Sequence, residues 1–207
     1  MSIEKAYNIW ASQYDSNLNL TRDLDKKCTI KTLKNLDFKN VLELGCGTGK
    51  NTEWLLNKAE RIIGLDFSQE MLHKAKAKIF DKRVLFKKVD LTKDWEIENN
   101  FVDLITASLT LEHIENLDHI FLQANLKLKK NGLFFISELH PFKQYSGSKA
   151  KYETENGIKE LEVYIHHISE YIDTAKNNGF KLIELKEWFD ESSENEIPRL
   201  ISFVFKK

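Results

Sequence analysis

Cysteine is scarce in this sequence. Two residues of 207, Cys28 and Cys46, are too few for the disulfide framework of a small secreted scaffold. An excess of charge is missing as well: 31 basic against 32 acidic residues give a net charge of -1 and a pI near 6.6. That balance offers no electrostatic footprint for nucleic acid or an anionic membrane surface. No apolar run approaches the roughly 18 residues of a membrane span. Residues 1–8 have neither the apolar core nor the small-residue cleavage site of a signal peptide. Repeats and low-complexity tracts are absent too. The expectation is one cytoplasmic domain, monomeric or homodimeric, engaging no nucleic acid and no membrane, with a core supplied by 42% hydrophobic residues.

What is present is a glycine loop. Val41-Leu42-Glu43-Leu44 reads as a buried strand and runs into Gly45-Cys46-Gly47-Thr48-Gly49. Glycines at this spacing let the backbone turn sharply and approach a ligand where a Cβ would collide. Cys46, inside the loop, reads as a small residue that fits. A second apolar run, Ile62-Ile63-Gly64-Leu65, closes on Asp66 at the distance one intervening helix requires. A carboxylate at a strand end can accept from both hydroxyls of a ribose. The alternative for Asp66 is a charge complementing the dipole of the helix that Ser68 opens. A dinucleotide fingerprint wants G-x-G-x-x-G, whereas Lys50 follows Gly49 here. The pattern is G-x-G-x-G with Glu43 at the strand end.

Apolar spacing predicts helices over Ile3–Tyr14 and Thr21–Leu36. Strands and helices then alternate: strand Asn40–Leu44, helix Asn51–Leu56, strand Arg61–Leu65, a helix from its cap Ser68 to Ile79, and strands Val84–Val89 and Phe101–Ala107. A helix over Asn116–Leu128, a turn at Asn131-Gly132 and a strand Leu133–Glu138 follow. Such alternation implies right-handed crossovers and a parallel sheet covered on both faces. Lys151–Glu155 and Ile158–Tyr164 flank Asn156-Gly157, the signal for a type I′ hairpin. Ser169 caps a helix reaching Asn178, Gly179 ends it, and strands Phe180–Trp188 and Leu200–Phe205 follow, with Pro198 in the turn between them.

The glycine loop, Asp66 and the register of the later elements together resemble the class I (Rossmann-like) S-adenosylmethionine-dependent methyltransferases, in their small-molecule, methyltransferase type 11/25-like branch. The resemblance implies an α/β fold: a doubly wound, mostly parallel seven-stranded sheet with an antiparallel edge strand and helices on both faces. It divides one domain into a helical cap (1–37), a cofactor-binding core (38–138), a lid hairpin inserted after the fifth strand (139–168), and a C-terminal helix with edge strands (169–207). It also implies S-adenosylmethionine as cofactor, leaving as S-adenosylhomocysteine. Gly45, Cys46, Gly47 and Gly49 would then pack on the methionine portion, and Glu43 beneath the loop would help hold the ammonium end. Asp66 would hold the ribose, and Phe67 and Met71 would wall the adenine. Asp90 and Leu91 would meet the adenine edge, unless Asp90 forms an Asx turn. In the segment Ala107–Ile114, Ser108 and Leu109 would offer backbone to the sulfonium side, and His113 would fix the loop's shape. Tyr7 to Asp15 is similar to the Y-x-x-x-A-x-x-Y-D entry helix of such enzymes, which would bring Tyr14 to the cofactor; the alternative is an apolar stripe of Tyr7, Trp10 and Tyr14 packed on the sheet.

On the acceptor side, His140 follows the fifth strand and His166 and His167 follow the hairpin. Imidazole suits proton removal near neutral pH, and each of the three equally reads as a structural histidine. No metal is expected, because adjacent residues on an extended segment do not readily face one ion. Amino-directed nucleic-acid methyltransferases of this fold carry an N-P-P-Y or D-P-P-Y tetrapeptide after the fourth strand, where Ser108-Leu109-Thr110-Leu111 stands here. The reading is methyl transfer by in-line displacement to an O or N atom of a small molecule. A cofactor-binding sensor or partner subunit without transfer is the alternative, and a nicotinamide oxidoreductase is disfavoured by Lys50 and the glycine spacing.

Overall fold

The computed structural model describes residues 2–16, 18–149, 151–154, 157–190 and 197–207. Helices α1 (Ile3–Trp10) and α2 (Leu20–Leu33) precede β1 (Asn40–Leu44), α3 (Lys50–Leu55), β2 (Arg61–Asp66), α4 (Gln69–Lys78), β3 (Val84–Lys88) and β4 (Val102–Ser108). A 3-10 turn at Leu111–His113 leads to α5 (Leu117–Lys127), β5 (Leu128–Leu139) and the short α6 (Pro141–Tyr145). A separate hairpin, β6 (Lys151–Thr154) and β7 (Gly157–Glu160), then α7 (Ile168–Asn177), β8 (Lys181–Trp188) and β9 (Leu200–Lys206) complete the order.

The principal sheet has seven strands in the order β3-β2-β1-β4-β5-β9-β8. The first five pair in parallel, and β9 runs antiparallel to both β5 and β8. The doubly wound, mostly parallel sheet expected from the sequence is therefore present. Strands buried on both faces must be apolar nearly throughout, and β1, β2 and β4 are. One core lies beneath α5 and α7, where Phe121, Phe134, Phe203 and Phe205 are fully buried; a second, under α2 and α3, holds Cys28, Leu33, Leu55 and Phe135. The chain winds outward from β1 through β2 to β3, then returns to place β4 on the other side of β1. The carboxyl ends of β1 and β4 thus flank the point where an open α/β sheet forms its crevice.

Several local expectations are corrected. The first helix stops at Trp10 rather than Tyr14, and the chain turns over residues 11–16 because Asp15 is drawn to Thr48 Oγ1 and Lys78 Nζ at 2.7 and 2.9 Å. Asn131-Gly132 is not a turn before the fifth strand but a bulge within it. The β4 pairing steps from Leu128 to Leu133, and Asn131 takes φ 66° while Lys207 bonds Gly132 from the other side. The second hairpin strand ends at Glu160, since Leu161 packs on Ala6 and Trp10 and the Tyr164 N–H turns to the Glu112 carbonyl. Glu155 and Asn156, on which the type I′ expectation rests, lie outside the described residues. The helix expected to start from Ser169 has His167 as its N-cap residue, with the Glu170 carboxylate accepting from the His167 N–H at 3.3 Å.

Candidate functional site

The glycine loop leaves β1 at the crevice with Gly45, Gly47 and Gly49 all at positive φ. Gly45 (φ 64°) lies so close to Thr110 that a Cβ would run into its side chain. Asp66, at the end of β2, ties the loop to the start of α4. One carboxylate oxygen accepts from the Gly47 N–H and the other from the Ser68 N–H, both at 2.8 Å. It therefore serves the loop and the helix end together, and its remaining lone pairs face the cleft. Burial pushes its pKa up to about 6 against the pull of these backbone donors.

A cleft opens over this loop. Its lining gathers Tyr14, Gly45, Gly47, Asp66, Phe67, Met71, Asp90, Leu91, Ser108, Leu109 and His113 from the residues singled out in the sequence, and adds Tyr7, Val89, Thr92, Thr110 and Ile114. Glu43 and Cys46 instead line an adjoining polar recess under the loop, together with Arg22, Asp25 and Thr106. Gly49 lines neither; it is the N-cap of α3. Asp90 forms the Asx turn weighed above, its Oδ1 accepting from Thr92 N–H and Oγ1 at 3.0 and 2.6 Å, and still reaches the cleft. Leu109 holds φ 53°, a costly conformation for a branched residue that persists where the surroundings impose it; its N–H is fixed by the Ser137 carbonyl at 2.8 Å.

Helix α1 closes the cleft from above. Asn8 Oδ1 accepts from Ser68 Oγ and the Glu70 N–H at 2.7 and 3.3 Å, docking α1 on the start of α4. His113 lies between α1 and the post-hairpin segment, its Nδ1 against the Glu162 carbonyl at 3.4 Å and its Nε2 2.7 Å from Tyr7 Oη. A carbonyl accepts only, so the proton sits on Nδ1 and Tyr7 donates to Nε2. Burial lowers the His113 pKa to about 4, keeping the ring neutral.

Arg22 and Asp25 went unnoticed in the sequence. With Thr29 and Thr32 they form a polar stripe at helical spacing on α2, a pattern that usually marks a solvent face. Here Arg22, Asp25 and Thr29 are buried. Arg22 lies over the Tyr14 ring at 4.2 Å. Asp25 accepts from Asn51 at 3.0 Å through one oxygen, while the other oxygen and the Thr106 and Ser108 hydroxyls are buried without a hydrogen-bond partner among the described residues. Unpartnered buried polar groups at a cleft wall are costly unless a ligand or water meets them.

The three histidines considered for proton transfer line neither the cleft nor the recess. His140 caps α6: its Nδ1 accepts from the Phe142 N–H at 3.1 Å and its Nε2 donates to Glu187 at 3.1 Å. His166 donates from Nε2 to the Ile114 carbonyl at 2.8 Å and faces Glu170 through Nδ1 at 2.9 Å. His167 is exposed, with its Nδ1 hydrogen-bonded to Tyr145 Oη at 2.7 Å. Among the described residues no cluster of three or more His, Cys, Asp or Glu side chains is arranged for a metal ion, and no helix is long and apolar enough to cross a membrane.

The donor set fits S-adenosylmethionine. Phe67, Met71 and Leu91 offer an apolar wall for a base, Asp66 a hydroxyl acceptor, and the recess its unpartnered Asp25, Thr106 and Ser108 groups for the charged amino-acid end. Comparison with known proteins agrees. Residues 42–136 match the family model described as a methyltransferase domain. The chain is 26% identical over 172 residues to malonyl-[acyl-carrier protein] O-methyltransferase 2 of Ilyobacter polytropus, covering 82% of this chain and 63% of that protein. It is 26% identical over 174 residues to the ubiquinone biosynthesis O-methyltransferase of Pelagibacter ubique, covering 81% and 70%. A crystal structure of an S-adenosylmethionine-dependent methyltransferase from Mesorhizobium loti shares the fold with a TM-score of 0.76 at 18% identity, over 91% of this chain and all of that one. The methyltransferase domain matched over residues 42–136 and these likenesses support a class I S-adenosylmethionine-dependent methyltransferase, with S-adenosylmethionine as its cofactor.

Proposed function

We propose that the protein transfers a methyl group to an O or N atom of a small-molecule acceptor by in-line displacement. The observation that carries this reading is a second chamber, which shares Tyr7, Tyr14 and Leu109 with the cofactor cleft and continues past Trp10, Arg22, Glu112, Leu139 and Lys149. Two compartments with a common wall suit a cofactor on one side and an acceptor on the other. The two curated relatives are named as O-methyltransferases, which favours an oxygen nucleophile.

When bound, the cofactor supplies an electrophilic methyl group on a sulfonium. The chain's own task is mainly positional: holding two reactants aligned is worth about 7–11 kcal/mol. Asp66 and the glycine loop fix the nucleoside, Arg22 and Asp25 with Glu43 fix the amino-acid end, and the imposed Leu109 backbone shapes the wall between the compartments. Helix α1 and Leu161 beyond the hairpin keep water out. Calorimetric titration with S-adenosylmethionine, S-adenosylhomocysteine and NAD, with Asp66→Ala as control, tests the nucleoside assignment. The expected result is binding of the first two, lost in the variant. A screen of phenols, amines and carboxylic acids for S-adenosylhomocysteine release tests transfer itself; tight cofactor binding with no acceptor turned over would favour a sensor or partner subunit instead.

A further inference from the structure

Methyl transfer to a hydroxyl or a protonated amine leaves a proton to be removed, and none of the three sequence-selected histidines reaches the second chamber. One buried acid does. Glu112, at the centre of the 3-10 turn after β4, lines the chamber beside Leu109. Its Oε2 accepts from Gln144 Nε2 at 3.3 Å, and its Oε1 takes no hydrogen bond among the described residues, with His113 Nε2 at 3.9 Å. That histidine nitrogen already accepts from Tyr7, so it offers the carboxylate no proton. A carboxyl group with one anchored and one open oxygen, set in the wall of a chamber lined by both aromatic and polar side chains, is equipped to receive a proton.

We propose that Glu112 is the general base of the reaction and that the acceptor is a hydroxyl or protonated amine rather than a carboxylate. The assignment rests on the methyl-transfer function proposed above. With a hydroxyl acceptor, the proton passes to Glu112 Oε1 as the oxygen lone pair forms its bond to the methyl carbon and the carbon–sulfur bond breaks; a protonated amine first gives its proton to Glu112 Oε1, freeing the lone pair that then displaces the sulfide. The cationic cofactor becomes a neutral sulfide, the carboxylate becomes a carboxylic acid, and no other reactant is required. The environment is matched to this duty. Burial raises the Glu112 pKa to about 7, with the Gln144 hydrogen bond opposing, and a base is most effective with its pKa near the working pH. The ionisable groups that face Glu112 are Tyr7 on α1, Glu138 on β5, Tyr171 on α7 and His113 on its own turn. Arg22 on α2 and Lys149 after α6 line the same chamber.

The test compares the intact protein with Glu112→Gln, which keeps the side chain's size and can keep the contact with Gln144. With catechol and phenol as probe acceptors, the variant is expected to lose about 100-fold or more in kcat, with a smaller change in KM and a Kd for S-adenosylhomocysteine within about twofold of the parent. The rise of kcat through neutral pH should vanish with it. A kcat and pH profile equal to those of the parent would overturn the assignment. A second measurement needs no acceptor. In the S-adenosylhomocysteine complex labelled with carbon-13 at glutamate carboxyls, the resonance missing from Glu112→Gln should titrate near neutral pH and move on adding catechol. Titration in the ordinary carboxyl range, without response to catechol, would overturn it. Intact cofactor binding with no acceptor turned over would count against the methyl-transfer reading, while the carboxyl titration decides Glu112 by itself.

Discussion

Gly45 combines a left-handed backbone with a neighbour, Thr110, that leaves no room for a methyl group. Gly45→Ala must adopt a conformation that costs an ordinary residue about 1–2 kcal/mol and displace Thr110 as well. It should lower the melting temperature by several degrees and weaken S-adenosylhomocysteine binding more than tenfold, read by thermal melting and calorimetry. Glu43 offers a second test at the same scale. It is buried under the loop, bonded to Thr52, and burial raises its pKa to about 8. Between its ordinary value of 4.5 and that value, the folded state holds a proton that the unfolded chain has released, so stability falls as pH rises through this window. Glu43→Gln removes that slope. Melting temperatures measured from pH 5 to 8 should decline less steeply than in the parent, and an unchanged slope would refute the burial argument.

Among the elements, α1 is the one that covers the cleft, with Tyr7 in its lining. It is held by Asn8 on Ser68 and Glu70, by the Tyr7–His113 hydrogen bond and by an exposed Lys88–Glu4 ion pair worth little. Asn8→Ala removes two of these bonds without touching the core. Dissociation of S-adenosylhomocysteine should quicken several-fold by stopped-flow, with amide exchange faster in α1 and unchanged in β1 and β4. The strands and the glycine loop were legible in the sequence because their signals are local: an apolar run, three alternating glycines, an acid at a strand end. The chamber was not legible, because Arg22, Glu112 and Lys149 come from α2, the turn after β4 and the segment beyond α6. The polar stripe of α2 reads as a wet face and is dry. The histidines misled for a related reason: His140, His166 and His167 have the right chemistry and lie past strand ends, but a helix cap, a carbonyl and a tyrosine hydroxyl already engage their nitrogens. What a side chain is free to do depends on partners that sequence spacing does not reveal.

The whole molecule gathers buried acids at the cleft, in the recess and chamber beside it, and behind the Thr110 turn. Burial raises Asp25, Glu43, Asp66, Glu112 and Glu138 together. A ligand with net positive charge placed among them favours their ionised forms and drives protons off. S-adenosylmethionine should therefore bind more tightly as pH rises from about 6 to 8, releasing protons countable by calorimetry in buffers of different ionisation heat. S-adenosylhomocysteine, lacking the sulfonium charge, should release fewer; equal release would show that these carboxyls do not sense the cofactor's charge.

The position of β9 has a consequence for synthesis. This strand, almost wholly buried, lies between β5 and β8 although it follows both in the chain. A ribosome must therefore deliver residues 200–206 before the sheet can close. Until then β5 and β8 each present an open edge beside the waiting aromatic core of Phe121, Phe134 and Phe180, the kind of exposed pairing surface that invites aggregation. The nascent chain depends on β9, and on whatever shields the two edges during the interval, to complete the sheet.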